Sequence, residues 1–462
     1  MTNDPDNAPS ALGRELKSRH VTMITIGGVI GAGLFVGSSA AIATVGPAVV
    51  LSYLIAGLLV TLIMRMLSEM ASTHPGAGAF TEYTRHGLGD WAGFVGGWLY
   101  WYFWVVVIAI EAIAGGVIIA EWIPLPMWQI AAALLLALAA VNLMSTRSFG
   151  EFEFWFASIK VAAIIVFIIV AGGYALGFAP SAVPVNLTSG EGFMPFGVAA
   201  VFAGVATVIF SLVGAEIATI AAAEAAEPAK VVARLTTTII TRILLFYVLS
   251  VFLIVAVVPW TTIVPGESPF VAALDRIGVP GAGLAMTLVV LTAVLSCLNS
   301  GLYVVSRVLF VLARHGDAPK SLVAVNRQQV PVRSILVATA ASALLLGVAI
   351  ISPDDAFTLL VNASGALMLM LYLLVAVAQI RLRRVRQAED APPPPIRMWL
   401  FPWLSWAAVI GNVGLLVAMG FMPALRSQLF ASLCVAALAI LAFLLLRRRQ
   451  SHAPAAAAAP AR

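Results

Sequence analysis

Charge is what this chain has least of. Among 462 residues only 26 are Lys or Arg and 21 are Asp or Glu, 10% of the total, against about a quarter in a soluble domain. With 61% hydrophobic residues and a mean hydropathy of +1.02, no large water-exposed domain fits, and a disordered chain, collagen and a coiled coil are excluded with it. Cysteine is nearly missing. Cys297 and Cys434 both lie in apolar runs, which excludes a disulfide framework or a Cys-based metal site and leaves core packing as the expectation. Histidine occurs only at positions 20, 74, 86, 315 and 452, all at ends or in polar segments, so a metal-hydrolysis site has no ligands inside the apolar region. The first twenty residues are polar and lack the basic, apolar, small-residue order of a cleavable signal, so the first apolar stretch is expected to act as the targeting signal.

What is present is apolar length. Twelve stretches reach the roughly 20 residues a bilayer-crossing helix needs: 21–44, 47–72, 91–120, 127–145, 154–178, 197–223, 236–259, 281–313, 334–351, 355–380, 400–421 and 425–446. An even number puts both termini on one side, and the basic residues choose which. With the termini inside, only Arg276 and Arg426 fall outside, leaving 26 − 2 = 24 at the cytoplasmic face, as the positive-inside rule requires. The net charge of +5 is therefore read as topology rather than nucleic-acid binding, although a cluster such as Arg381, Arg383, Arg384 and Arg386 also suits anionic lipid. The expected organisation is a cytoplasmic segment 1–20, one all-α membrane domain 21–446, and a low-complexity cytoplasmic tail 447–462 too poor in apolar area to fold.

Two places in the apolar region are badly suited to continuous helix. In the first stretch Gly27, Gly28, Gly31 and Gly33 fall within seven positions, and each glycine costs roughly 1 kcal/mol in a helix interior. One reading is a small-residue face for close helix packing. The other is a discontinuous helix whose freed N–H groups face a cavity, because irregular backbone at membrane depth survives only where protein or water satisfies it. The sixth stretch repeats the problem at Phe210, Ser211, Leu212, Val213, Gly214, Ala215 and Glu216. Breaks five helices apart are the pattern of inverted repeats, here 21–178 and 197–380, followed by two extra helices at 400–446. Such a pair of breaks exposes N–H donors on one half-helix and C=O acceptors on another, which suits the carboxylate and ammonium of a small amino acid.

The residues that carry these features resemble a known family. Leu16 to Met23, Gly31-Ala32-Gly33-Leu34-Phe35, Gly46-Pro47 with Ala48-Val49-Val50, Glu151-Phe152-Glu153-Phe154-Trp155, Phe210 to Glu216 with the run to Pro228, Ser296-Cys297-Leu298-Asn299-Ser300 and Arg314 to Pro319 are similar to signatures of the amino acid transporter family in the amino acid–polyamine–organocation superfamily. The likeness extends from about Leu16 to Arg449. Within the family, Arg19 to Met23, Ala32 and the aromatic run Trp98 to Trp104 look most like the bacterial 4-aminobutyrate (GABA) permeases; aromatic amino acid permeases more often carry threonine where Ala32 stands. The resemblance implies a twelve-helix inner-membrane protein with a five-plus-five inverted repeat, importing an amino acid with protons by alternating access and using no cofactor beyond the coupling proton. It implies that N–H groups around Gly31, Ala32 and Gly33 hold the substrate carboxylate. Carbonyls near Phe210, Ser211, Val213 and Gly214 would accept from the ammonium, with Phe210 as a gate. Sodium-coupled relatives place Na⁺ between spans 1 and 8, where proton-coupled ones set a span-5 lysine, here Lys160.

Intramembrane charges are costly and mark function by default. Lys160 lies roughly two turns inside its span: it either snorkels to the interface or, taken out of water, exchanges its proton as a coupling residue must. Glu111, in the outer half of span 3, is either a structural hydrogen-bonding group or the partner of the distant ammonium of GABA. Glu216 either caps freed N–H groups or takes part in gating. Glu69, four residues after Arg65, is expected to form a helix-surface ion pair. Asn299 and Tyr303 on span 8 either line the cavity or bond a neighbouring helix. An intramembrane enzyme would need a catalytic constellation that the sequence lacks, and a channel would need a filter loop or charge rings that the short outer loops do not provide. Secondary transport of a small-molecule substrate by a lipid-embedded protein is the expectation, with the oligomeric state left open.

Overall fold

The computed structural model describes residues 29–74, 80–178, 192–217, 219–220, 242–353 and 356–451, with Met23 and Leu187. Segment 1–20, Gly27, Gly28, the run 223–228 and the tail beyond 451 lie outside the described residues, as do the first six residues, 236–241, of the seventh stretch. Among the described residues the regular structure is entirely helical: α1 (Ala32–Phe35), α2 (Gly37–Val45), α3 (Val49–Thr73), α4 (Phe80–Leu88), α5 (Asp90–Ala120), α6 (Met127–Met144), α7 (Thr146–Ala175), α8 (Gly197–Leu212), α9 (Ser250–Val257), α10 (Pro269–Ile277), α11 (Ala282–Arg314), α12 (Val332–Leu346), α13 (Val348–Ile351), α14 (Ala356–Ser364), α15 (Leu367–Ala388), α16 (Trp403–Phe421) and α17 (Pro423–Ser451), with short 3₁₀ and π segments between.

Nine segments among the described residues are long and apolar enough to cross a membrane, Ala32–Thr73 counting as one although a 3₁₀ turn at Gly46–Ala48 divides it. Two shorter apolar helices, Gly197–Leu212 and Leu245–Val257, accompany them. The chain is therefore a multi-pass membrane protein. Burial sorts the helices: α5 and α11, which pack against each other, form the centre, whereas only 6% of the apolar window of α17 is covered by protein, so that helix turns its leucines to lipid.

Three elements differ from the sequence reading. Helix α7 begins at Thr146, not 154, because Ser145 accepts the Ser148 N–H at 3.0 Å as an N-cap; this draws Glu153 into the bundle. The tenth stretch, read as unbroken, parts at Gly365 and Ala366 between α14 and α15, and Ser432 of α17 accepts the freed Ala366 N–H at 3.2 Å. Residues 447–451, assigned to a disordered tail, continue α17.

On the polar face at the Arg314 end of α11, the amphipathic α4 is tied to the turn after α11. Arg85 pairs with Asp317 and, at 3.1 Å, with Asp90, while His315 meets Glu82 at 3.0 Å. Trp98 donates to the Asp317 carbonyl at 3.3 Å, which gives the first of the aromatic run a structural task.

Candidate substrate site at two helix breaks

The first break is real, and three of the backbone groups around it, the Val29 and Ile30 carbonyls and the Ala32 N–H, find partners on remote helices. Between Val29 and Ala32 the chain leaves helical geometry, with Gly31 at φ −131° and ψ −156°. The Val29 carbonyl accepts from the Tyr247 hydroxyl at 2.7 Å, and the Ile30 carbonyl from Lys160 Nζ at 2.7 Å. The Ala32 N–H donates to both carboxylate oxygens of Glu111, at 3.1 and 3.2 Å. In hydrocarbon each unmet group would cost several kcal/mol, so these side chains are what allow the break. Of the two readings of the glycine run, the discontinuous helix is correct. Close packing is present as well: a Cβ on Gly31 would lie 2.6 Å from Glu111 Oε1 and 2.8 Å from Cys297 Sγ, and one on Gly33 would lie 2.9 Å from the Ser211 Cα.

The second break follows α8. Gly214 has φ +111°, a conformation closed to residues with a Cβ at ordinary cost, and its N–H donates to both oxygens of Glu216 at 3.2 Å. Glu216 also accepts from Tyr100 at 3.1 Å and Tyr372 at 3.4 Å. It caps the break, as one reading of this residue held, and links it to α5 and α15.

Between the breaks lies a cavity of about 20 Å³ lined by Gly31, Gly33, Phe103, Trp104, Glu111, Phe210, Ser211, Val213 and Cys297. That is room for little more than one water, so this conformation is contracted around the site. A second cavity, about 80 Å³, shares Gly33, Phe210 and Ser211 and continues to Gly37, Phe357, Val361 and Gln428. Phe210 thus stands between the two spaces, its ring 6.1 Å from that of Phe103. Of the anticipated residues, Gly31, Gly33, Glu111, Phe210, Ser211 and Val213 meet at one cavity, with Ala32, Gly214 and Glu216 at its edges.

Other residues stand differently from expectation. Lys160 is fully buried and does not snorkel. Glu69 is not in a surface pair with Arg65: it is 3% exposed and accepts from Gln379 at 2.9 Å, Arg383 at 2.8 Å and the Met398 N–H at 2.5 Å. Arg65 instead donates to the Arg397 carbonyl at 2.8 Å. Asn299 takes the inter-helix role, accepting from Asn142 at 2.9 Å. Cys434 is exposed rather than in the core, and Cys297, buried as expected, belongs to the cavity wall. Three buried charges were missed, one of them Arg242, 7% exposed in the seventh stretch. Glu153 is fully enclosed, and Arg307, 3% exposed, lies over the Tyr303 ring at 4.0 Å. The signal for Glu153 was its seven-residue spacing from Lys160, which puts both on one helix face.

Helix breaks that turn backbone donors and side-chain charges toward one central space define the class of membrane transporters built from discontinuous helices. The model of the amino acid permease family matches residues 20–449, and the chain belongs to that family; it is a transporter rather than an enzyme, with amino acids as its substrate class. It is 46% identical to a gamma-aminobutyric acid permease of Bacillus subtilis, over 98% of this chain and 97% of the relative, and 44% identical to one of Escherichia coli, over 92% of each. It is 37% identical to the aromatic amino acid transport protein AroP of Escherichia coli, over 91% of this chain and 92% of the relative.

Proposed function

We propose that this protein imports GABA together with protons across the bacterial cytoplasmic membrane by alternating access, through twelve helices arranged as a five-plus-five inverted repeat with two further helices and both termini in the cytoplasm. The observation that carries this reading is the Ala32 N–H bound by a carboxylate. The N-terminus of the resumed helix favours an anion there, and in the substrate-free protein the anion is Glu111. An incoming substrate carboxylate takes these donors at Gly31, Ala32 and Gly33, and the displaced Glu111 is left to pair with an ammonium. GABA suits that exchange because three methylenes separate its two charges. Carbonyls near Phe210, Ser211, Val213 and Gly214 complete the ammonium site, and Phe210 shuts it from the second cavity.

Lys160, bonded to the Ile30 carbonyl at the break itself, is the coupling residue. Its ammonium holds the unwound segment in place, and loss of its proton weakens its hold on that carbonyl, which ties protonation to the geometry of the site. Glu216, bridging Gly214 to Tyr100 and Tyr372, senses movement of the second break. The GABA permeases at 46% and 44% identity over nearly their full lengths support the choice of substrate.

The test is radiolabelled GABA uptake by the purified protein in proteoliposomes under an inward proton gradient, challenged with unlabelled proline, phenylalanine, lysine, alanine and β-alanine. Saturable, protonophore-sensitive uptake is expected. Transport of a competitor in place of GABA would refute the substrate and leave the family intact.

A further inference from the structure

Below Lys160, on the same face of α7, a second carboxylate is buried that the transport cycle above does not use. Glu153 is fully enclosed and two helical turns, about 10 Å of rise, from Lys160. It accepts from the Ser296 hydroxyl and, at 3.3 Å, from Asn299 Nδ2, both on α11; Asn299 in turn accepts from Asn142 of α6 at 2.9 Å. A carboxylate is rarely taken this far from water without a task. One turn further along α7, Phe149 stacks on Tyr303 of α11, with ring centroids 4.4 Å apart and planes 2° from parallel. The Arg307 guanidinium lies 4.0 Å from the Tyr303 ring centroid. Along the two helices, toward the Arg314 end of α11, the order is Lys160, the Glu153 cluster, then this aromatic and guanidinium seal. The charged or titratable groups that act on Glu153 are Lys160 of its own helix and Cys297 of α11, with Arg307 two turns beyond Asn299.

We propose that Glu153 is the proton-exit residue, accepting the coupling proton from Lys160 and releasing it to the cytoplasm when the Phe149–Tyr303 stack parts. In the transfer an N–H bond of the Lys160 ammonium breaks and an O–H bond forms on Glu153, leaving a neutral amine and a neutral acid; release to cytoplasmic water restores the carboxylate. The neutral pair is cheaper to hold in a dry interior than the ionic one while the helices rearrange. Ser296 and Asn299 donate to the charged form, so they favour release after the proton has passed. This inference rests on the proton-coupled reading given above.

The test compares wild type with Glu153→Gln in proteoliposomes in two assays: accumulation of radiolabelled GABA under an inward proton gradient, and exchange of labelled for unlabelled GABA at equal pH. The variant is expected to lose gradient-driven accumulation by at least about tenfold while keeping exchange, and Glu153→Asp to restore part of the accumulation. Ser296→Ala, which removes a donor to the carboxylate, is expected to move the half-maximal pH of uptake upward and decides the matter if the Gln variant does not insert. Equal accumulation by Glu153→Gln and wild type, parallel loss of both assays, or an unmoved profile in Ser296→Ala would overturn the role of Glu153. Wild-type protein that exchanges GABA but gains nothing from the gradient would overturn the coupling reading itself.

Discussion

Glu111 and Ala32 stand 79 positions apart in the chain, yet both oxygens of the Glu111 carboxylate accept the Ala32 N–H, at 3.1 and 3.2 Å. A side chain of the central helix α5 thereby occupies the donor that, in the proposed cycle, receives the substrate carboxylate. Binding in that cycle is a replacement, one carboxylate for another.

Glu111→Gln keeps the shape of that contact and removes the charge that would meet the substrate ammonium. Loss of a charge-assisted hydrogen bond of about 2 kcal/mol is expected to lower kcat/KM for GABA roughly thirtyfold. A small α-amino acid, whose ammonium stays beside its carboxylate, should lose less. Parallel uptake kinetics for both substrates check this, and equal losses would make Glu111 a structural residue.

Lys160→Met removes the ammonium on the Ile30 carbonyl. Gradient-driven accumulation should vanish, while GABA exchange at equal pH persists at a reduced rate. Normal uphill accumulation in this variant would end the coupling role.

Gly33→Ala sets a Cβ about 2.9 Å from the Ser211 Cα, where backbone, not a flexible tip, must give way. The two breaks are forced apart by several tenths of an ångström, and uptake should fall at least about tenfold with the protein still folded in detergent. The same substitution at Gly172, where a Cβ meets nothing within 4 Å, is the control.

Glu69→Leu leaves the part-buried Arg383 without its carboxylate and removes the acceptor of Gln379 and the Met398 N–H. Breaking a buried ion pair from one side costs about 3–5 kcal/mol, so thermal stability and yield should drop sharply. The substrate preference of the surviving protein should be unchanged, since Glu69 lies outside the cavity.

Asp317 tests the tie between α4 and the turn after α11. Its partial burial raises the carboxyl above its ordinary 3.8 despite the opposing pull of Arg85. A carboxyl raised on folding binds protons better in the native state, so its contribution to stability falls as pH rises from 3.8 through the raised value. Asp317→Asn should flatten the dependence of thermal stability on pH in that window; an unchanged curve would assign the slope to other groups.

The limits of sequence reading show in particular residues. The breaks at Gly31 and Gly214 were legible because lipid forbids unmet backbone groups, so that a glycine-rich run in one membrane helix, and a serine, a glycine and an acid close together in another, signal a compensated interruption. The break at Gly365 was not: a single glycine in an apolar run is ordinary, and its compensation comes from Ser432, far along the chain. Glu153 was hidden by a helix boundary eight residues from where hydropathy put it, set by a serine cap. Glu69 misled because Arg65 is its neighbour on the helix, whereas its partners arrive from α15 and the segment before α16.

By itself the sequence determined the medium, the class and the places where helices must fail, because hydrocarbon acts on each segment locally and leaves its mark in composition. Which group answers each freed donor and acceptor was decided only by tertiary structure: Glu111 for Ala32, Lys160 for Ile30, Tyr247 for Val29, Glu216 for Gly214. Three of these four are contacts between remote helices. Hydropathy records that a residue is buried and says nothing of which helix it faces.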